Sequence, residues 1–241
     1  MAPRADDRPR RPALPEAETM VDCFGIEIAA EEIQRWNALA AGPEGFIHWN
    51  DDALAPYPPD VSWPLPESFI PIKIPVGEEQ LQGASLLEVG CGIGGNAPVL
   101  LGYVDRYVGL DVSTFALALA RYRFSRATKA EFYHTVHDAG QLNAMEECFD
   151  GVFGIEFFYH QPWSRLKRIM AFAYRVLKPG GWLKLDLLCR DGLRADEHDV
   201  ELGALWHGFD PGLDRVHAWA ESLGFASVER AYHTYPVAFS G

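Results

Sequence analysis

Leu86-Leu-Glu-Val-Gly-Cys-Gly-Ile-Gly-Gly-Asn96 is the stretch of sequence that decides the fold. Its apolar start, Leu86, Leu87 and Val89, predicts a buried parallel strand. Four glycines follow at the end of this strand: Gly90, Gly92, Gly94 and Gly95. Glycine turns sharply and lets backbone N–H groups approach a ligand, and the N-terminus of a following helix favours negative charge. The order strand, glycine loop, helix predicts a nucleotide cradle at the carboxyl edge of an open α/β sheet.

The glycine loop by itself is compatible with two kinds of cofactor. Gly90-x-Gly92-x-x-Gly95 fits the dinucleotide fingerprint, and Asp111 lies near the expected distance for a ribose-binding acid. Glu88 lies inside the strand, two residues before the first glycine. Because a carboxylate there would repel a pyrophosphate and attract a cation, Glu88 favours a cationic cofactor over NAD(P).

Five segments together resemble the class I S-adenosylmethionine (SAM) methyltransferases, from about Leu86 to Tyr232. Glu88-x-Gly90-x-Gly92-x-Gly94 is similar to their motif I, which faces the methionine moiety of SAM. The others are Tyr107-Val-Gly-Leu-Asp111-Val-Ser113 for the second motif, His137-Asp138-Ala139 for the third, Phe149-Asp150-Gly-Val-Phe153 for the fourth strand, and Arg175-Val-Leu-Lys-Pro-Gly-Gly181 for the turn before strand five. The last is the most specific, because dinucleotide dehydrogenases have no reason to carry it.

The resemblance implies SAM as cofactor and S-adenosylhomocysteine as product. It implies that Asp111 binds both ribose hydroxyls, since a vicinal diol offers two donors and a carboxylate two acceptors. It implies that Asp138 accepts a hydrogen bond from the adenine amino group. The cofactor-binding residues predicted on this basis are Glu88, Gly90, Cys91, Gly92, Gly94, Asn96, Asp111, Val112, Ser113, Asp138, Ala139 and Glu156.

The apolar pattern after residue 84 alternates between strands and helices. Strands are predicted at Ser85–Gly90, Tyr107–Asp111, Ala130–Val136, Phe149–Ile155, Trp182–Leu188 and Phe225–Tyr232. Helices are predicted at Ile26–Leu39, Ser113–Arg126, Pro162–Leu177 and Gly212–Leu223, with a turn at Lys178–Gly181. Such alternation makes a parallel sheet with helices on both faces. The expected fold is a doubly wound, mostly parallel, Rossmann-like seven-stranded sheet. Because only 18 residues follow Leu223, either its last hairpin is tight, with a turn near His233-Thr234, or the last strand is short or missing.

The segment before the glycine loop differs in composition from the rest. We predict a disordered tail at 1–18, an N-terminal helical or irregular lid at 19–82, and a SAM-binding domain at 83–241. The lid contains a proline-rich stretch that forbids a long helix or central strand. Its rings at Trp49, Tyr57 and Trp63 are predicted to bind the acceptor, and the alternative is that they are core residues.

Composition limits the partners and the compartment. Of 241 residues 48% are hydrophobic, enough for a large core, and the net charge of −13 disfavours DNA or RNA as substrate. No apolar stretch is long enough for a bilayer, and the N-terminus lacks the apolar segment of a signal peptide. We expect a cytoplasmic monomer or homodimer that takes a small-molecule acceptor and binds neither nucleic acid nor membrane.

Two groups of residues are of types that bind metals or react as thiols, but their spacing along the sequence disfavours both roles. Cys23, Cys91, Cys148 and Cys189 form no C-x-x-C pair, which predicts free thiols and no zinc site. Cys91 is expected to fill space in the loop rather than act as a nucleophile. The acids and histidines of 196–207 fit no metal signature, so we expect a solvated loop and no metal.

Methyl transfer from a sulfonium is an in-line displacement, so the protein must align the nucleophile, the methyl group and the sulfur and exclude water. A hydroxyl or carbon-acid nucleophile also needs a base. Glu156, Tyr159 and His160 follow the fourth strand. We predict His160 as the base, Glu156 as a SAM-site or orienting residue, and Tyr159 with His160 as acceptor-binding residues. The alternative is that His160 caps the helix near Pro162. Strand alternation predicts His134 on the face of Asp138, opposite His137.

The sequence therefore predicts a SAM-dependent enzyme that methylates an O, N or C atom of a small molecule. A protein or RNA methyltransferase would need a basic or extended surface, which the charge does not suggest. An NAD(P) oxidoreductase is disfavoured by Glu88 and by the turn at 175–181. A non-catalytic SAM-binding subunit stays open, because an intact loop with Asp111 argues for cofactor binding and not for chemistry.

Overall fold

A five-stranded parallel sheet organises the fold in the computed structural model, which describes residues 19–41, 76–187 and 209–227. The strands are β1 (Thr19–Val21), β2 (Glu27–Ala29), β3 (Ser85–Val89), β4 (Arg106–Asp111), β5 (Ala130–His134), β6 (Phe149–Phe153) and β7 (Leu177–Lys184). The helices are α1 (Ala30–Ala41), α2 (Glu78–Leu81), α3 (Ala97–Leu100), α4 (Thr114–Arg123), α5 (Ala139–Asn143), α6 (Trp163–Val176) and α7 (Leu213–Leu223). The sheet order is β5-β4-β3-β6-β7, while β1 and β2 form a separate antiparallel hairpin. The predicted α/β fold is confirmed.

Side chains that alternate along the strands build two core layers. Leu87 and Val152 pack in the layer that includes residues of α6 and α7. Leu86 and Tyr107 pack on the other face, in the layer that includes residues of α3 and α4. All four side chains are fully buried, and burying each one stabilises the fold by about 1.5–3 kcal/mol. Helices therefore cover both faces, as the doubly wound prediction required.

The N-terminal helix begins later than predicted, at Ala30 instead of Ile26. The residues before it form β2, in which Ile28 pairs with Met20 of β1. The Asp22 carboxylate closes the hairpin by accepting the N–H groups of Phe24 and Ile26. This side-chain turn and the period-two burial of Ile26 and Ile28 favour a strand over the first helical turn.

The turn predicted at 178–181 is instead a bulge inside a strand. Helix α6 ends at Val176, and β7 begins at Leu177, five residues before the predicted start of this strand. Phe149 pairs with Leu177, and Gly151 pairs with Trp182. Strand β7 therefore has extra residues between these two pairs, and they include Gly180, whose φ is 80°. Lys178 Nζ lies 2.9 and 3.0 Å from the carboxylate oxygens of Asp150. The role of the segment is structural, because it ties β7 to the start of β6.

Strand β5 ends at His134, two residues earlier than predicted, because side chains turn the chain back. The Asp138 carboxylate accepts the His134 N–H at 2.7 Å, and His134 Nδ1 accepts the N–H groups of Val136 and His137, each at 3.1 Å. The rings of His134 and His137 consequently stack with centroids 4.2 Å apart. The predicted placement of these rings on opposite faces was wrong.

Two further elements end earlier than predicted, and some predictions concern residues that the structure does not describe. Strand β6 ends at Phe153 and α4 at Arg123, two and three residues before the predicted ends. The tail at 1–18, the rings of Trp49, Tyr57 and Trp63, the loop at 196–207 and most of the strand predicted at Phe225–Tyr232 lie outside the described residues. Among the described helices, none combines the length and hydropathy needed to cross a bilayer.

His134 should make stability depend on pH in a defined window. Its Nε2 is buried without a hydrogen-bond partner among the described residues, and burial next to His137 lowers the pKa of His134 to about 4. Between about pH 4 and 6.5 the unfolded chain therefore binds a proton that the folded chain does not, so stability rises with pH. The rise should be about 3 kcal/mol.

Urea unfolding of the wild type and of His134→Asn, from pH 4 to 7, measures this contribution as a difference. Asn keeps a side-chain acceptor for the two backbone N–H groups but does not titrate. Both proteins contain Asp22, so its contribution to the pH dependence of stability cancels in the comparison. Burial raises the pKa of Asp22 to about 6, so the stabilisation that Asp22 contributes falls as the pH rises over much of this range. Parallel pH profiles for the two proteins would contradict the assignment.

Candidate functional site

A cavity of about 330 Å³ opens beyond the carboxyl ends of β3, β4 and β6. One wall is the glycine loop with the end of β4, a second is the chain after β6, and a third is the β1–β2 hairpin with α1 and α6. Strand order reverses between β3 and β6, and this switch point is where open α/β sheets bind ligands. The predicted position of the site therefore agrees with this cavity, which the glycine loop lines.

The glycine loop has a backbone that residues with a Cβ cannot easily adopt. Gly90 has φ 76°, and a Cβ placed on it would lie 2.3 Å from the ring of Phe157. The N–H groups of Gly90 and Cys91 both donate to the Leu110 carbonyl, at 2.8 and 2.9 Å. Burial raises the pKa of the Cys91 thiol well above its ordinary value, so it stays protonated. Cys91 thus has the properties of a space-filling residue, not of a nucleophile.

Asp111 is oriented by the loop that it faces. Its Oδ2 accepts the Gly92 N–H at 2.8 Å, and its Oδ1 accepts the Ser113 N–H at 2.7 Å. Burial raises the pKa of Asp111, and these backbone hydrogen bonds oppose the shift. Each carboxylate oxygen has a second acceptor position, so both can take one more donor from a ligand. Ser113 also caps α4 by accepting the Ala116 N–H.

Glu88 lies in the cavity wall and is only 1% exposed. Its Oε1 accepts the Asn96 side-chain amide at 2.6 Å, and its Oε2 accepts the Tyr107 hydroxyl. Burial and the neighbouring Glu88 raise the pKa of Tyr107 well above its ordinary value, so its hydroxyl remains a donor. The sequence marked Tyr107 only as part of a motif, whereas the structure makes it the buried partner that orients Glu88.

The chain after β6 brings Glu156 and His160 to the wall, whereas Tyr159 is not one of the wall residues. Glu156 has φ 57°, and its N–H donates to the Asp186 carboxylate. The Asp186 Oδ1 also accepts the Phe158 N–H at 3.2 Å. Asp186 positions this loop and was missed, because the sequence placed it inside the strand predicted at Trp182–Leu188, whereas β7 ends at Lys184.

His160 lies in a single 3₁₀ turn, Phe158–His160, with its ring centroid 5.9 Å from that of Trp36. Helix α6 begins at Trp163 with Pro162 as its N-cap and without a side-chain cap hydrogen bond. Pro162, and not His160, is therefore the N-cap residue of this helix. A half-buried imidazole in a cavity wall has the chemistry of a general base.

The β1–β2 hairpin and α1 form a largely apolar wall with a polar group at one end. Its apolar residues are Phe24, Ile26, Ile28, Trp36 and Ala40. Its charged residues are Asp22, Glu32 and Arg165. Arg165 binds Glu32 through two N–H groups, with Nη2 2.7 Å from Oε2. The sequence contained no motif for this pair, whose members are 133 residues apart.

Asn37 connects α1 to the start of α4, beside the end of β4. Its Oδ1 accepts the Ser113 hydroxyl at 2.9 Å and the Phe115 N–H at 3.1 Å. Its side-chain amide donates to the Thr114 hydroxyl at 3.1 Å. The N-terminal wall and the Asp111–Ser113 turn are therefore mechanically linked through a residue that sequence reasoning did not single out.

Asp138 and Ala139 are the predicted cofactor residues that the structure does not bring to the wall. The Asp138 carboxylate accepts the His134 N–H and lies 3.4 Å from Arg121 Nη2. Because β5 ends early, Thr135 takes the wall position near this strand. The other predicted cofactor residues line the cavity or, like Gly94, belong to the loop that forms it.

Comparisons with known proteins agree with this architecture. A family model described as "Methyltransferase domain" matches residues 86–181. Sterol 24-C-methyltransferase ERG6A of Gibberella zeae is 32% identical over 129 residues, covering 50% of this chain and 33% of the relative. The 24-methylenesterol C-methyltransferase 2 of Oryza sativa subsp. japonica is 30% identical over 158 residues, covering 59% and 41%.

A solved complex of a methyltransferase with the Haloferax volcanii Trm112 activator aligns with a TM-score of 0.40 and 23% identity, over 63% of this chain and 57% of that chain.

The two sterol enzymes are matched over 33% and 41% of their own length. This chain therefore spans well under half of the curated relatives that it matches.

Proposed function

Because residues 86–181 match the family model "Methyltransferase domain", we propose that this protein is a class I SAM-dependent methyltransferase, which binds SAM at the glycine loop and transfers its methyl group to a small, largely apolar acceptor. The observation that carries the proposal is the joint arrangement of Glu88, the glycine loop and Asp111 around one cavity. SAM supplies a methyl group on a sulfonium, which is already a good leaving group.

The residues present fit SAM chemically. Asp111 keeps an acceptor position on each oxygen for a ribose diol, while Gly92 and Ser113 hold its carboxylate in place. Glu88 puts negative charge beside the loop, which suits the cationic parts of SAM and opposes a pyrophosphate. The absence of Cβ atoms at the loop glycines leaves the backbone open to close approach.

Calorimetric titration tests the cofactor directly. We expect SAM and S-adenosylhomocysteine to bind with micromolar-range dissociation constants, that is, about 8 kcal/mol of binding free energy, and NADH not to bind. The reason is the charge of Glu88, which is attractive for a sulfonium or ammonium and repulsive for a pyrophosphate. Tight NADH binding without SAM binding would overturn the proposal.

Asp111→Ala should weaken SAM binding tenfold or more. The ribose loses hydrogen bonds to a charged acceptor, which are worth about 1.5–3 kcal/mol. The same change removes the acceptor of the Gly92 and Ser113 N–H groups, so some loop stability should be lost as well. Calorimetry with Asp105→Ala as control tests this, because Asp105 is an exposed aspartate beside the opposite end of β4. Unchanged SAM affinity in folded Asp111→Ala would show that Asp111 does not hold the ribose.

The acceptor is proposed to lie against the apolar wall of the hairpin and α1, opposite the glycine loop. Phe24, Ile28 and Trp36 support this, because a dry apolar surface excludes water from methyl transfer. The relatives are named as sterol C-methyltransferases, which favours a carbon nucleophile on a small molecule. In this proposal residues 19–41 serve as a lid, tied to the cofactor side through Asn37.

His160 is proposed as the base that removes a proton from the acceptor, and Glu156 as an orienting residue beside it. Both side chains line the cavity, on the chain that follows β6. Asp186 supports this assignment because its carboxylate fixes the backbone of Glu156 and Phe158. The residues thereby bind, orient and deprotonate the acceptor, while the surrounding apolar wall keeps water away.

A further inference from the structure

Asp22 is a buried carboxyl group in the cavity wall that the proposed methyl transfer does not use. It lies in the turn between β1 and β2 and is only 4% exposed. Its Oδ1 accepts both the Phe24 N–H at 2.9 Å and the Ile26 N–H at 2.8 Å. No described residue donates a hydrogen bond to Oδ2. Asp22 lines the cavity, so Oδ2 is open to a ligand there, and a ligand that supplies a donor gains a hydrogen bond to a charged group.

The charged neighbours of Asp22 do not replace such a ligand. Arg165 of α6 and Glu32 of α1 are the charged groups that act on Asp22. Arg165 directs two N–H groups to the Glu32 carboxylate, so its guanidinium is already paired. Burial raises the pKa of Asp22 to about 6, against the opposing effect of the backbone N–H groups and Arg165. At neutral pH Asp22 is therefore ionised and able to accept a hydrogen bond.

The whole cavity has an excess of negative charge. Its described wall contains five carboxyl groups and one guanidinium: Asp22, Glu32, Glu88, Asp111, Glu156 and Arg165. SAM brings one net positive charge, which leaves the excess in place. A carboxylate or phosphate on the acceptor would meet like charge in a partly dry site, where repulsion is strong. Neutral and cationic acceptors meet no such barrier.

We propose that Asp22 is an acceptor-binding residue that accepts a hydrogen bond from an amine or hydroxyl of an apolar acceptor, and that this wall excludes anionic acceptors. This inference rests on the proposed function, because it assigns the hairpin end of the same cavity to the acceptor. Phe24, Ile26 and Ile28 hold the apolar body, and Asp22 selects the polar group. The substrate class is thus an apolar molecule with one hydrogen-bond donor.

Three probes with one apolar chain test the selection: n-hexylamine, 1-hexanol and hexanoate. Each is titrated by calorimetry into the full chain saturated with S-adenosylhomocysteine. We expect at least one of the two donor probes to bind tenfold or more tightly than hexanoate. An amine that binds better than the alcohol identifies a cationic donor, and equal binding identifies a neutral one. Hexanoate binding as tight as the tighter of the two donor probes overturns the proposal without any variant.

Asp22→Asn isolates the contribution of Oδ2. Asn keeps the oxygen that accepts the two backbone N–H groups and replaces the free acceptor by a donor. We expect the donor probes to bind tenfold or more weakly and hexanoate to bind no worse. The matched control is Glu27→Gln, an exposed carboxylate on the same hairpin, which should leave all three affinities unchanged.

The two proposals fail in different ways. If S-adenosylhomocysteine does not bind to the wild type, the proposed function fails. If it binds and the donor probes bind equally well to the wild type and to Asp22→Asn, only the role of Asp22 fails. Thermal unfolding of Asp22→Asn, measured beside these titrations, separates loss of fold from loss of recognition, and the wild-type comparison of the three probes holds in either case.

Discussion

Replacing His160 by alanine is expected to lower turnover about 10²–10⁴-fold while SAM binding is unchanged. The imidazole lies in the wall after β6 and faces Trp36, which belongs to the wall proposed for the acceptor. The N-cap residue of α6 is Pro162, so the substitution leaves the N-cap residue of that helix in place. The free energy of unfolding should therefore change little.

Release of S-adenosylhomocysteine measures turnover, with a panel of apolar amines, alcohols and alkenes as acceptors. The control is His217→Ala, which removes a partly exposed histidine from α7, far along the chain from the wall. Its turnover should equal that of the wild type. Wild-type turnover in folded His160→Ala would show that another group takes the proton or that the acceptor needs no base.

Gly90→Ala is expected to destabilise the protein by about 2–5 kcal/mol and to abolish measurable SAM binding. A Cβ on Gly90 would lie 2.3 Å from Phe157, so the ring or the loop must move, and overpacking of this kind costs about 1–3 kcal/mol. A non-glycine residue at φ 76° adds strain of about 1–2 kcal/mol. Both effects act on the loop that cradles the cofactor.

Gly180→Ala separates these two contributions. Gly180 has a similar φ of 80°, and a Cβ there meets nothing within 4 Å, so only backbone strain is added. Urea unfolding should show a smaller loss for Gly180→Ala, and calorimetry should show wild-type SAM affinity. In Gly90→Ala, the further change Phe157→Ala should recover part of the stability. Equal losses in the two single variants would mean that the contact with Phe157 is not limiting.

The sequence by itself was sufficient to predict the fold class, the order along the chain of the segments that form the sheet strands, and the glycine loop. These features depend on local chemistry: apolar periodicity for β3 and β4, glycine at positive φ in the loop, and a serine cap before α4. The family resemblance added Glu88 and Asp111, which the structure brings to one cavity. The roles of His160 and Glu156 in catalysis stay predictions.

Tertiary structure alone decided which side chains meet and where elements end. Asn37 meets Ser113 across 76 residues, and Glu32 meets Arg165 across 133, so no local pattern encodes either pair. Asp138 is not among the cavity-lining residues, and its carboxylate accepts the His134 N–H at the end of β5. Asp22 became part of the wall because its carboxylate closes the β1–β2 hairpin, which takes the place of the predicted start of the helix. Such choices depend on which buried polar groups find partners after the chain has packed, and spacing along the sequence does not contain that information.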